Sequence, residues 1–310
     1  MDRTDATIAE PQTEPQVSGV AAPLEQPQPS PQDTPAEPPV TRITPAGGWR
    51  LLDLRELWRY RELLFFLIWR DVKVRYRQTV LGVAWAVLQP VLMMAVFTVF
   101  FGRMAGLPSA GLPYPLFALA GLLPWMFFAA AVSTAGNSIV QSERLVTKIY
   151  FPRLAIPLAA VGVAAVDFCI AFGVLGVLMA WYGVWPGIQC LLVIPLALVI
   201  GLAGMAFGTG LAALNVRYRD FRYVIPFLVQ FWMFATPTVY MQPPAEASGV
   251  MSVLIWANPM TGLIGGFRAA CLGLPIPWAQ FALSTAVIVV VAVVAMAYFR
   301  KVEDDFADII

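Results

Sequence analysis

A basic segment followed by a long apolar run constrains this chain more than any other feature. The segment 70–77 holds four basic residues against one acid, and the run Val80–Phe101 that follows holds no charged residue. A run of this length crosses a hydrocarbon core of roughly 30 Å at about 1.5 Å per residue. We therefore expect a first transmembrane helix whose basic end stays on the cytoplasmic side, in water or among anionic headgroups.

Composition extends this interpretation to most of the chain. The 310 residues are 59% hydrophobic and 13% charged, whereas a soluble protein carries about 25% charged residues. There is no histidine, which removes the commonest metal ligand and general base. The three cysteines are far apart and form no CxxC pair, so we expect no metal site. The sequence predicts a polytopic membrane protein.

Further apolar runs predict five more transmembrane helices after the first. They are Leu116–Ala135, Ile156–Trp181, Ile188–Leu214, Tyr223–Tyr240 and Phe281–Phe299. The predicted fold class is thus an all-α membrane protein with six transmembrane helices and both termini on one side. That side holds 16 basic residues outside the N-terminal tail, whereas the other side holds 2, Arg103 and Arg268. The positive-inside rule makes both termini cytoplasmic.

Two segments precede the first span. Residues 1–46 hold ten prolines and no aromatic residue, so we expect a disordered cytoplasmic tail. The stretch Trp49–Trp69 repeats apolar residues at helical spacing and predicts an amphipathic helix in the membrane interface. A plain anchor is the alternative role for this helix. Its candidate interface residues are Leu54, Trp58, Arg59, Phe65 and Trp69.

The segment Gln141–Pro157 between the second and third spans combines charged and aromatic residues. It predicts a short helix that ends at Phe151-Pro152. Such a mixture suits docking to another protein, whereas a simple turn between spans needs neither this length nor the aromatic residues. The residues of this mixture include Glu143, Arg144, Lys148, Tyr150 and Arg153.

The segment Met241–Trp278 is too long for a tight turn and too apolar for an exposed loop. It holds two apolar pieces, with predicted breaks at Asn258-Pro259 and Gly265-Gly266. Each piece is too short to span a membrane, so we expect re-entrant helices from the outer face that line the end of a pathway. An amphipathic outer cap is the alternative. We call this outer end of the pathway the outer gate. Its candidate residues are Asn258, Pro259, Gly265, Gly266 and Arg268.

Two further sets of residues have open roles. The aromatic residues near the predicted span ends form an interfacial belt or line a conduit. Asp167, the one acid well inside a predicted span, is a pore group or a structural acid bonded to a neighbouring helix. The candidate conduit residues are Trp85, Trp125, Phe128, Phe231, Trp232 and Tyr240.

Four blocks, at 70–102, 148–159, 215–240 and 258–273, make the chain from residue 47 onward resemble the permease subunit of a type-2 ABC exporter. The resemblance is to the permeases that export polysaccharide, O-antigen, capsule or teichoic-acid chains. It implies two copies around a conduit in the inner membrane and two separate ABC nucleotide-binding subunits. The residues that it implies for coupling to these subunits are Glu143, Arg144, Lys148, Tyr150 and Arg153. The resemblance also implies that ATP and Mg²⁺ bind to the partner and that this chain carries no cofactor, which agrees with the absence of a GxxxxGK[ST] phosphate loop from the sequence.

The cargo implied by the resemblance is a glycan on a polyprenyl-diphosphate lipid. The alternative keeps the fold and exports a drug, a lipid or a small amphiphile. A membrane glycosyl- or acyltransferase is a remote alternative, since it requires clustered acids or histidines near a membrane face. The other expected partners are membrane lipids, and we expect no nucleic acid.

Overall fold

The structure is a computed structural model that describes residues 58–77, 82–148, 151–238, 255–303 and 306. These residues belong to the unit Trp49–Ile310, so the predicted tail 1–46 lies outside them. The described elements are all helices. They are α1 (Arg61–Arg77), α2 (Ala84–Phe97) with a π-helical continuation (Thr98–Met104), α3 (Tyr114–Gln141), α4 (Glu143–Lys148), α5 (Ala155–Trp181), a 3-10 helix (Ile188–Leu192), α6 (Val193–Arg217), α7 (Phe221–Phe234), α8 (Pro259–Leu272) and α9 (Trp278–Val302).

Five helices in the described part of the chain are long and apolar enough to cross a membrane. They match the first, second, third, fourth and sixth predicted spans. The prediction of an all-α membrane protein is confirmed. These helices are α2 with its continuation, α3, α5, α6 with the preceding 3-10 helix, and α9.

The fifth predicted span, Tyr223–Tyr240, coincides with the shorter helix α7. This helix has 14 residues and contains Pro226, whereas a spanning helix needs about 20 residues. Residues 239–254 lie outside the described residues. The six-span arrangement therefore stays a prediction.

Helix α1 runs further along the chain than the interface helix predicted to end near Trp69. It continues to Arg77, so the basic segment belongs to this helix and not to the start of the first span. Leu67 is buried, and the side chain of Ile68 fills the space beside Gly162 of α5, where a Cβ would lie 2.5 Å from Ile68 Cδ1. The chain then turns at Gly82, whose φ of +50° favours glycine.

Helix α3 is the centre of the fold. In the most apolar 18-residue stretch of α3, 78% of the residues are buried, whereas only 6% are buried in the corresponding stretch of α2 and its continuation. Small residues bring α3 and α6 together, since a Cβ on Gly208 would lie 2.6 Å from Ala135 Cβ. Close approach through small residues is typical of helix packing in membranes, where lipid removes the usual hydrophobic driving force between helices.

The 14-residue helix α8 lies in the predicted re-entrant region, and 13 of its residues are buried. The predicted break at Asn258-Pro259 is confirmed, because α8 begins there. The predicted break at Gly265-Gly266 is wrong, because α8 is continuous through both glycines. A glycine in this helix can instead allow close packing: a Cβ on Gly262 would lie 2.5 Å from Ser284 Oγ of α9.

Candidate functional site

A partly open cavity of about 600 Å³ is lined by residues of α1, α2, α3, α5, α7 and the turn at Gly82. Its wall is mostly apolar and includes Trp85 and Trp125, two of the predicted conduit residues. Pockets of this size with a few convergent polar groups commonly bind ligands. The polar side chains in the wall are those of Arg75, Tyr76, Gln89, Ser133, Asp167 and Gln230.

Asp167 is the centre of the polar part of this cavity. Arg75 Nη1 donates to one carboxylate oxygen and the Tyr76 hydroxyl donates to the other. A carboxylate midway along an apolar helix is costly unless its charge is paired and its oxygens accept hydrogen bonds. The interpretation of Asp167 as an acid bonded to a neighbouring helix is confirmed, and the same carboxylate also lines the cavity.

The environment of Tyr76 keeps its hydroxyl protonated. Burial raises the pKa of Tyr76 to about 12, and the hydrogen bond to the Asp167 carboxylate contributes in the same direction. Tyr76 therefore remains a hydrogen-bond donor throughout the physiological pH range. The carboxylate is thus held by one charged and one neutral donor, both from α1.

The predicted conduit residues fall into two groups. Trp125, Phe128 and Trp232 pack together, with the Phe128 and Trp232 ring centroids 5.1 Å apart. Phe231 is 68% exposed on the other side of α7. Phe128 has no exposed surface in the single chain, so its conduit role stays a prediction that depends on how the passage opens. Tyr240 lies outside the described residues.

The predicted docking segment forms the six-residue helix α4. Glu143 and Arg144 are exposed at its start, whereas Val146 and Phe151 are buried. Arg153 is partly buried, and its Nη1 has no hydrogen-bond partner among the described residues. The side chain of Lys148 and the whole of Tyr150 lie outside what is described.

The predicted interface residues are exposed along the N-terminal part of α1 and the turn before it. Trp58, Phe65 and Trp69 each expose more than half of their surface, and Arg59 is also exposed. Bulky aromatic residues on an exposed helix face are typical of a membrane–water interface. Leu54 lies outside the described residues, and the interface role stays a prediction.

Asn258 joins the start of α8 to the end of α7. Its side-chain oxygen accepts hydrogen bonds from Met260 N and Trp232 Nε1, each at 3.0 Å. Its Nδ2 donates to Thr236 Oγ1 at 2.8 Å and to the Ala235 carbonyl oxygen at 3.3 Å. One side chain thus caps α8 and fixes its angle to α7. Pro259 occupies the first helical position, where its missing N–H costs nothing.

Arg268 lies in α8 and is 6% exposed. Its guanidinium carbon is 3.9 Å from the centroid of the Phe117 ring of α3, and Nη2 donates to the Thr238 carbonyl oxygen. A Cβ on Gly121 would overlap with this guanidinium group. The predicted gate residue is therefore inserted between elements instead of facing open solvent.

Sequence reasoning missed two features of this site. It placed Arg75 among cations in water or headgroups, whereas the structure pairs Arg75 with Asp167. The isolated acid in an apolar run was the available signal, since such a group requires a partner. It also missed Gly121, for which the sequence offers no signal, because the close approach of Arg268 arises from a contact 147 residues away.

Comparisons with known proteins agree with this architecture. A family model described as ABC-2 type transporter matches residues 62–272. The "O-antigen export system permease protein RfbA" of Myxococcus xanthus is 31% identical over 259 residues, which cover 82% of this chain and 98% of the relative. A protein of the same name from Klebsiella pneumoniae is 26% identical over 251 residues, or 80% and 95% of the two chains.

The family match covers most of the described helices, from the start of α1 to the end of α8. The resemblance to a type-2 ABC permease is thereby confirmed. Members of this family are the membrane subunits of transporters and act with an ABC ATPase subunit. The chain belongs to the ABC-2 type transporter family and is a multi-pass membrane subunit of a transporter rather than an enzyme.

Proposed function

We propose that this chain is the permease subunit of an ATP-driven exporter for polyprenyl-diphosphate-linked polysaccharide of the O-antigen type. The observation that carries the proposal is the full-length alignment with a permease named for O-antigen export, which spans 98% of that relative. An alignment of this extent includes the cavity, α4 and α8 together. Sequence similarity that extends over a whole domain supports a shared function more strongly than one shared motif does.

The cavity supports a carbohydrate cargo. Trp85 and Trp125 offer flat apolar surfaces, and Gln89, Gln230 and Asp167 offer hydrogen-bonding groups beside them. Sugar rings combine apolar faces with equatorial hydroxyl groups, so such a wall provides contact area with few fixed hydrogen bonds. A chain of sugars can then slide through a passage that extends from this cavity.

The sequence supports an orientation in the cytoplasmic membrane with both termini inside. The basic residues concentrate on the side that holds α4 and the ends of the chain, as the positive-inside rule requires. In this orientation α8 and the start of α3 lie toward the outer face. Lipid-linked cargo enters from the cytoplasmic leaflet and leaves at that outer end.

The partners in this proposal are a second copy of the chain and two ABC ATPase subunits that bind ATP and Mg²⁺. Helix α2 is hardly buried within the single chain, which leaves an apolar face for a second copy or for lipid. The exposed Glu143 and Arg144 of α4 suit contact with the ATPase subunit. ATP-driven closure of the ATPase pair moves α4 and α1 as levers and opens the passage.

Reconstitution of the chain with its ATPase subunit in lipid vesicles tests the proposal. We expect a labelled polyprenyl-diphosphate oligosaccharide to cross the bilayer when ATP is supplied, and not with an ATPase-inactive partner. A labelled amphiphile without sugars is the matched cargo control and should cross much more slowly. Equal ATP-driven transport of both cargoes, or transport of the amphiphile alone, would contradict the polysaccharide assignment.

A further inference from the structure

Arg268 occupies an unusual environment for a charged side chain. Its guanidinium group is almost completely buried and contacts the Phe117 ring, while Nη2 donates to the Thr238 carbonyl oxygen. None of the ion pairs among the described residues includes Arg268, and its Nε is buried with no described hydrogen-bond partner. Burial of a cation with so few partners is costly, so a purely space-filling role would be served better by an apolar side chain.

The surroundings are shaped to the guanidinium group. A Cβ at Gly121 would overlap with Arg268 Nη2 and with the Thr238 carbonyl oxygen. The guanidinium group therefore fits closely into a site, which we call the guanidinium cradle. This site is formed by the Phe117 ring face, the Gly121 backbone and the Thr238 carbonyl group. It joins α3, α8 and the chain that follows α7 at one point.

The position of the cradle relates it to the passage. Leu122 and Leu123, which follow Gly121 on α3, line the cavity, whereas Phe117 and Gly121 do not. The lining of α3 extends from Leu122 to Ser133, so the cradle lies just beyond one end of the cavity. That end is the outer one in the orientation of the proposed function, on which this inference rests.

We propose that the guanidinium cradle is a positioning device that holds α8 in place and seals the outer end of the resting passage. A cation–π contact in a desolvated site is among the stronger contacts of its kind, and it is directional because the cation must lie over the ring. One contact point between three elements gives α8 a single closed position. Opening for cargo then requires Arg268 to leave the cradle.

The substitution Gly121→Ala tests the cradle without removing the charge. Gly173→Ala in α5 is the matched control, because a Cβ there has nothing within 4 Å. The complex with the ATPase subunit is placed in vesicles loaded with sucrose, and efflux is measured without ATP. We expect a several-fold faster efflux with G121A, whereas the wild type and G173A retain sucrose.

Two substitutions at Arg268 separate sealing from folding. R268K keeps a cation that can contact the ring and the carbonyl, so we expect it to restore part of the seal, whereas R268M should leak as G121A does. If G121A fails to insert, the Lys and Met pair decides the question. Retained sucrose in every inserted variant would overturn the inference, and so would failure of all three variants to insert, which would show a role in folding alone.

This experiment is independent of the cargo. Sucrose efflux needs neither ATP nor a lipid-linked glycan, so a leak in G121A supports the cradle even where ATP-driven glycan transport is absent. In that case the cargo assignment fails and the seal stands. Conversely, normal glycan export together with unchanged sucrose retention in G121A and R268M would support the cargo assignment and overturn the seal.

Discussion

Asp167 connects helix α1 to the interior of the fold. It lies well inside α5 and takes both of its described partners from the last turn of α1. The pair is only partly shielded, with 36% of the Arg75 side chain and 27% of the Asp167 side chain exposed. Each of these side chains therefore contributes to stability mainly by preventing the other from being left unpaired.

Arg75→Ala should destabilise the protein more than Arg75→Ala combined with Asp167→Asn. The single change leaves a carboxylate without its cation, which costs about 1–3 kcal/mol in the free energy of unfolding, whereas the double change removes the charge as well. Thermal unfolding of the detergent-solubilised protein measures the difference. Arg70→Ala is the control, because its partner Asp71 is on the same half-exposed turn, and it should cost less than about 1 kcal/mol. Equal losses for all three variants would exclude an interhelical role.

Asn258→Ala should loosen the start of α8. The change removes a helix cap and leaves the Trp232 indole N–H without its acceptor, at a cost of about 1–2 kcal/mol in unfolding free energy. Asn258→Asp keeps both acceptor functions and should lose less. Limited proteolysis around residue 258 together with thermal unfolding checks the order of the variants. A wild-type pattern for the alanine variant would contradict the capping role.

At the scale of elements, α4 differs from the helices around it. It is six residues long, and the charged side chains at its start are exposed. Buried Val146 and Phe151 hold this short segment to the rest of the chain. The same segment can therefore be firmly anchored and still present charges to a partner.

Replacing Glu143 and Arg144 by alanine should uncouple the permease from its ATPase subunit. We expect binding of that subunit to weaken by about 1–2 kcal/mol, roughly five- to thirtyfold in Kd, while insertion and thermal stability stay unchanged. Arg103→Ala, which removes an exposed cation in the last turn of the first span, is the control. Pull-down of the ATPase subunit and ATP-dependent export are the measurements. Normal coupling in the double variant would remove α4 from the mechanism.

The sequence predicted elements better than contacts. Apolar length located the five long helices to within six residues at each end, because a bilayer sets a minimum apolar length for every spanning helix. The continuity of α8 was not predictable, because Gly265-Gly266 signals a break locally whereas the packed neighbours stabilise a helix. The Arg75–Asp167 pair joins residues 92 positions apart, and no local pattern specifies such a partner.

At the scale of the whole molecule, the described helices form a core around α3, and the weakly buried helix α2 lies beside the cavity. A transporter subunit needs this combination, because part of the structure must stay fixed while another part moves. The cavity lies where the lightly packed α2 meets the core. The short helix α4 and the capped helix α8 both contact α3 directly.

Depletion of this chain in living cells tests the proposed polysaccharide cargo most directly. The measurement is the distribution of polyprenyl-linked glycan between the cytoplasmic leaflet and the cell surface. Our account predicts that long glycan chains accumulate on the cytoplasmic leaflet and disappear from the surface, and that re-expression of the wild-type chain reverses both changes. Unchanged surface glycan after depletion would contradict the polysaccharide assignment.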